Sequence, residues 1–162
     1  MTKLVVISDT HNLYHQVEVP EADILIHAGD LSMRGSDWEC LSFLDWFSKQ
    51  PAKHKVFIAG NHDFAFEDPA FVEVVRKAYP SIHYLNQETV VLEGLKIWGA
   101  PHTPWFHDWS FNVQRGSDIA KIWAKIPNDT DIVVTHGPPY GILDKTRGGE
   151  DVGCVDLARE IK

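Results

Sequence analysis

Four short stretches combine carboxylates, imidazoles and an amide at spacings that suit a divalent cation. They are Asp9-Thr10-His11, Gly29-Asp30, Gly60-Asn61-His62-Asp63 and Thr135-His136-Gly137. Alternate residues of an extended chain point the same way, so Asp9 and His11 can offer a carboxylate and an imidazole to one ion. Asp30 carries two oxygens on one carboxylate, enough to bridge two ions, and the glycine before it permits a close backbone approach. Asn61 adds a neutral oxygen and His136 another imidazole. This mixture of oxygen and nitrogen donors favours borderline ions such as Mn, Fe or Zn over Ca. Singly, each stretch also reads as an ordinary turn or capped loop. Their shared position, each directly after an apolar run, sets them apart.

Those runs are Lys3 to Ser8, Asp23 to Ala28, Lys55 to Ala59 and Asp131 to Thr135, all rich in Val, Ile, Leu or Phe. Continuous apolar strands imply a sheet covered on both faces. Ligands of open α/β sheets gather beyond the carboxyl ends of the strands, which brings the four polar stretches to one place.

Helical patterns lie between the strands. Ser36 caps a helix with Glu39 completing a capping box, and Trp38, Leu41 and Leu44 are expected on its buried side. Asp68-Pro69 starts a second helix, with Phe71, Val74, Val75 and Ala78 at helical spacing. Ser117 is expected to cap a third, carrying Ile119, Ile122, Trp123 and Ile126 and ending at Pro127. Cys154, Leu157, Ala158 and Ile161 have the spacing of a fourth. Thr89 to Glu93 and Leu95 to Gly99 flank Gly94 as a hairpin.

The 162 residues fit a single domain over 1–162, and 44% apolar residues are enough for a substantial core. The formal charge of −8, with no basic stripe, argues against a nucleic-acid partner. No run is long and apolar enough for a membrane span. Two isolated cysteines, Cys40 and Cys154, fit a reduced, cytoplasmic setting.

Asp-x-His, Gly-Asp, Gly-Asn-His-Asp and a strand followed by His together resemble the calcineurin-like metallophosphoesterase superfamily. The likeness is closest to the small metallophosphoesterase-domain-containing phosphodiesterases, through Gly99-Ala100-Pro101, Thr103-Pro104-Trp105-Phe106, Thr135-His136-Gly137-Pro138-Pro139 and Val152-Gly153-Cys154-Val155. The resemblance implies an α/β fold, a four-layer αββα sandwich of two mixed sheets flanked by helices. It also implies a site of two divalent transition-metal ions, Mn or Fe, with Zn as a third choice. One ion would take Asp9, His11 and Asp30, the other Asp30, Asn61 and His136, with a metal-bridging hydroxide as nucleophile. His62 would be catalytic, with Asp63 orienting its ring. The implied activity is hydrolysis of small-molecule phosphoesters, phosphodiesters such as cyclic nucleotides above all.

His102 and Arg115 are further candidates for substrate contact, with Trp105 and Trp109 as a base-stacking wall. The superfamily's closing Gly-His-x-His block has no counterpart before Lys162, so the C-terminal part of the domain is expected to be missing. The alternative is a non-catalytic scaffold or inactive fragment that binds a protein partner.

Overall fold

The computed structural model describes residues 1–162. β1 (Leu4–Ile7), β2 (Ala22–Ala28), β3 (Ala52–Ile58) and β4 (Ile82–Tyr84) lie side by side in that order, and every pair is parallel. A second sheet places β6 (Leu95–Ala100) between β5 (Glu88–Leu92) and β9 (Ile132–Thr135). β5 and β6 form the expected antiparallel hairpin, and β9 runs parallel to β6. β7 (Thr103–Pro104) and β8 (Asn112–Val113) make a short ribbon of their own. Only the second sheet is mixed. The first is wholly parallel because the connections between its successive strands are crossovers rather than tight turns.

Helices α1 (Asp37–Ser48) and α2 (Pro69–Ala78) contribute to a core of 17 buried residues that includes Phe43, Phe47, Phe57 and Phe71. A second core, with Ile24, Ile26, Val56 and Ile58 against Ile97 and Val134, fills the space between the sheets. α3 (Ser117–Trp123) and α4 (Val155–Glu160) share a third core with Trp98 and Ala100 of β6. The four layers are therefore helix, sheet, sheet, helix.

Local sequence explains the elements and the departures from expectation. Ser36 and Glu39 form the reciprocal capping box. The buried face of α1, however, is Cys40, Phe43, Leu44 and Phe47, while Trp38 is 75% exposed. At 100° per residue Trp38 stands opposite that stripe. On α2 the buried residues are Phe71 and Val75, with Val74 and Ala78 outside. Gly116, not Ser117, precedes the third helix, and the helix stops at Trp123 rather than at Pro127. Cys154 caps α4 through its sulfur, which accepts from the Leu157 N–H, and Ile161 lies past the helix end.

β1 is covered on one face only. Val5 and Ile7 pack on the helix side, whereas Leu4 and Val6 are exposed. The opposing sheet has three strands against four and spans β2 and β3. Register then sets up the site. Ile7, His27 and Phe57 stand in one row across β1, β2 and β3. Asp9, Asp30 and Asn61 all follow that row within a few residues.

Candidate metal centre

The loops leaving β1 and β2 continue to pair beyond their strands. Asp9 N–H donates to the Gly29 carbonyl at 3.0 Å and His11 N–H to the Asp30 carbonyl at 3.1 Å. Asp9, His11 and Asp30 hold φ of 53°, 41° and 55°, a left-handed conformation that non-glycine residues adopt at a cost. Two glycines make the close approach possible. A Cβ on Gly29, itself at φ 98°, would lie 2.6 Å from His136 Nδ1, and one on Gly60 would lie 2.3 Å from Asp30 N and Oδ1.

Asp30 sits at the centre and is 4% exposed. Its Oδ2 lies 3.5 Å from His11 Nε2 and its Oδ1 3.3 Å from His136 Nε2. Oδ1 also accepts from the His62 backbone N–H at 2.9 Å. Burial favours the neutral acid, but the hydrogen bond and charge of His136 outweigh it and hold the carboxyl below its ordinary value.

Three imidazoles are oriented in the same way. His11 Nδ1 meets the Ser32 carbonyl at 3.1 Å, His62 Nδ1 the Met33 carbonyl at 2.8 Å, and His136 Nδ1 the Ala28 carbonyl at 2.9 Å. A carbonyl only accepts, so each Nδ1 carries the proton and each Nε2 is left for an ion or substrate.

Candidate ligand atoms fall into two groups that share Asp30: His11, Asp30 and His62, and Asp9, Asp30 and His136, each group within 4.8 Å. Asn61 Oδ1 stands 3.0 Å from His136 Nε2, in the second group. His11 falls in the first group and Asp9 in the second, with Asp30 common to both. Both positions are left-handed rather than extended, so strand alternation does not describe the backbone there.

Asp63 does not orient His62. It is fully buried and accepts from the N–H groups of Leu31, Ser32 and Gly60 and from the Ser32 hydroxyl. Burial pushes its carboxyl above the ordinary value while these donors pull it back. Its work is to tie the loop after β2 to the loop after β3. The Met33 carbonyl fixes the His62 ring instead, and no sequence signal marks a backbone carbonyl. Asn12 adds a further tie, donating to Glu39 of the capping box at 2.5 Å.

A cavity of about 510 Å³ opens beside the centre, with Asn61, His62 and His136 on one wall and Trp105, Phe106 and Trp109 on another. The Trp109 ring lies against His62, centroids 4.4 Å apart. The Ser110 N–H donates to the Asn61 carbonyl and fastens this aromatic loop to the centre. Arg115 reaches the rim of the cavity, but its guanidinium is committed to the carbonyls of Gly153 and Val152 at 2.8 and 2.9 Å. It clamps the segment before α4, which uses two of its five N–H donors. His102 is not on this cavity. It packs edge-on to Phe111 and lines a different one.

The donor set fits divalent cations. His136 has an acceptor facing each ring nitrogen, Ala28 O at Nδ1 and Asn61 and Asp30 oxygens at Nε2. Burial disfavours its charge, yet the Asp30 carboxylate raises its pKa to about 9. A ring so surrounded by oxygens requires a cation at Nε2, either a proton or a metal ion. Asp9, His11, Asp30, Asn61 and His136 are the residues that would hold the ions, with Asp30 common to both.

Comparison with known proteins agrees with this geometry. Residues 2–160 match the model of the calcineurin-like phosphoesterase family. Human "Metallophosphoesterase domain-containing protein 1" is 33% identical over 183 residues, covering 99% of this chain and 56% of that protein. A "UPF0046 protein" of Caenorhabditis elegans is 34% identical over 172 residues, covering 99% of this chain and 59% of the relative. The chain thus spans little more than half the length of these relatives. A solved crystal structure superposes with a TM-score of 0.64 over 99% of this chain and 79% of its own, at 13% identity, a likeness of fold. With its four layers and a shared carboxylate at the strand ends, the chain belongs to the calcineurin-like phosphoesterase family, whose chemistry uses divalent metal ions.

Proposed function

We propose that this chain is the core of a metal-dependent phosphodiesterase acting on small phosphodiesters, cyclic nucleotides among them, with Mn or Fe as its ions. The observation that carries the reading is Asp30, one buried carboxylate placed between His11 and His136 and common to both ligand groups. A pair of divalent ions supplies charge for the phosphoryl oxygens and a lowered pKa for attacking water. The protein's own side chains supply position and proton movement. His62, with Nδ1–H held by the Met33 carbonyl, presents Nε2 as the atom that contacts the phosphoryl group; as an imidazolium, protonated at both nitrogens, it would pass the Nε2 proton to the leaving oxygen and be left as the neutral Nδ1–H ring. Trp109 restricts the swing of that ring, and the aromatic wall offers an apolar surface to the ester group. Two free, buried cysteines support a cytoplasmic setting.

The test is hydrolysis of bis(4-nitrophenyl) phosphate with Mn and with a chelator. Activity should require Mn, and His62→Ala should lower kcat roughly 10²–10⁴-fold. Asp30→Asn should abolish activity together with Mn binding measured by calorimetry. A protein that binds Mn but turns over no ester, in wild type and variants alike, would turn the reading to the non-catalytic scaffold.

A further inference from the structure

The loop from Trp105 to Phe111 is firmly built yet leaves two of its rings in solvent. Pairing of β7 with β8 pinches its ends together. Asn112 braces it: the amide donates to Thr103 Oγ1 at 3.2 Å and to the Ser110 carbonyl at 3.1 Å, and Oδ1 accepts from the Phe106 N–H. Phe111 anchors it in the 17-residue core. His107, Asp108 and Phe111 hold φ of 51°, 52° and 57°, a left-handed conformation that costs free energy outside glycine. Trp105 and Phe106 nevertheless stay 47% and 64% exposed, and neither they nor Trp109 belong to any of the three cores. The Trp105 indole is fixed all the same, because its Nε1–H donates to Asp108 Oδ1 at 2.8 Å. Large apolar rings held still and bare at the wall of a cavity make a surface suited to pack against a ligand.

The cavity has two unlike walls, with Asn61, His62 and His136 on the metal side and Trp105 and Phe106 across from them. Asp108, bonded to the Trp105 indole, places negative charge behind the aromatic wall. A second phosphate is disfavoured there and an uncharged group is favoured. Under the phosphodiesterase reading His62 protonates the leaving oxygen, and the Trp109 ring lies against that same imidazole. The leaving oxygen is then placed where the two walls meet. The group it carries runs into the cavity, on the far side of phosphorus from the attacking water, as in-line displacement requires.

We propose that Trp105 and Phe106 seat a flat, uncharged ring on the leaving arm of the diester. Trp105 is thus the residue that decides which arm leaves, and Asp108 is its positioning residue. The proposal rests on the phosphodiesterase reading and narrows its substrates to diesters with an aromatic leaving alcohol. In the step, the oxygen of water bonds to phosphorus as the bond from phosphorus to the aromatic arm breaks. The departing oxygen keeps that electron pair and takes the Nε2 proton of the His62 imidazolium. The aromatic alcohol and a phosphomonoester of the other arm are the products, and the proton lost by water restores the imidazolium through solvent.

The probe is phenyl hexafluoroisopropyl phosphate, whose two alcohols are of similar acidity while only one is a flat ring. The Mn-loaded protein should release phenol over hexafluoroisopropanol in a ratio about tenfold above that of alkaline hydrolysis, read by fluorine and phosphorus NMR. Trp105→Ala should return the ratio to the alkaline value. Asp108→Ala should lower it part of the way, whereas Asp108→Asn, whose amide oxygen still accepts from the indole N–H, should keep it. In binding without turnover, benzylphosphonate should shift the Trp105 indole N–H signal and methylphosphonate should not. An alkaline ratio in the wild type would overturn this proposal while the phosphodiesterase reading stands. So would a raised ratio that survives Trp105→Ala, or an indole signal moved equally by both phosphonates. Absence of turnover with every diester, bis(4-nitrophenyl) phosphate included, would overturn both.

Discussion

His27 and His102 are buried and held neutral, and each has a consequence in acid. Burial brings the His27 pKa down to about 3 and that of His102 to about 4, from an ordinary 6.5. The unfolded chain therefore takes up protons that the folded chain refuses as pH falls below 6.5. Stability should be complete above that value and decline toward pH 4, at up to about 2.7 kcal/mol per pH unit while both rings are engaged. Urea melts across this range should show the slope, and His102→Gln should remove about half of it. Asp63 is the other residue whose change should be severe. Asp63→Asn sets an amide N–H₂ against backbone N–H donors and should cost about 3 kcal/mol in the same assay. The ligand types were readable in the sequence because Asp9, His11, Asp30, Asn61 and His136 interrupt or end apolar runs, where solvent-facing function is the economical explanation. The direction of each side chain was not readable. Asp63 turns inward and Arg115 clamps backbone, because tertiary neighbours decide these matters.

Elements with local signals were the legible ones. Ser36 and Glu39 announced α1, Asp68-Pro69 announced α2, and the runs around Gly94 announced the hairpin. β4, β7 and β8, of three, two and two residues, carry too little pattern to be seen and exist because neighbouring strands or loops pair with them. Helix faces were misjudged where a bulky apolar residue stands outside the stripe, as Trp38 does. Two element-level tests follow from local chemistry. Ser36→Ala removes the side-chain half of the capping box and should lower stability by about 1 kcal/mol in denaturant unfolding. Gly60→Ala drives a methyl into Asp30 at the junction of the β2 and β3 loops and should cost about 1–3 kcal/mol while weakening Mn binding.

Across the whole molecule, the ligands come from loops after four strands in two sheets, so binding ions is a statement about the assembled sandwich. An ion that binds only the folded chain adds about 2.7 kcal/mol at a hundredfold excess over Kd. For a chain of this size Mn should then raise Tm by roughly 5–10 °C over chelator-treated protein, read by scanning calorimetry. Asp30→Asn should erase the rise. The layer order came through the family resemblance that the motif residues carry; the alternating strand and helix patterns by themselves reached a mixed α/β core with a hairpin. The wholly parallel first sheet and the bare face of β1 were legible in neither, since both depend on which strands meet.

The carbonyls of Ala28, Ser32 and Met33 carry a consequence for heredity. What aims His136, His11 and His62 belongs to the polypeptide backbone, which every amino acid shares. Replacing any of those three residues leaves the guiding oxygen behind. A lineage can therefore reshape the mouth of the centre, Met33 included, by point mutation without unpicking the alignment of its histidines.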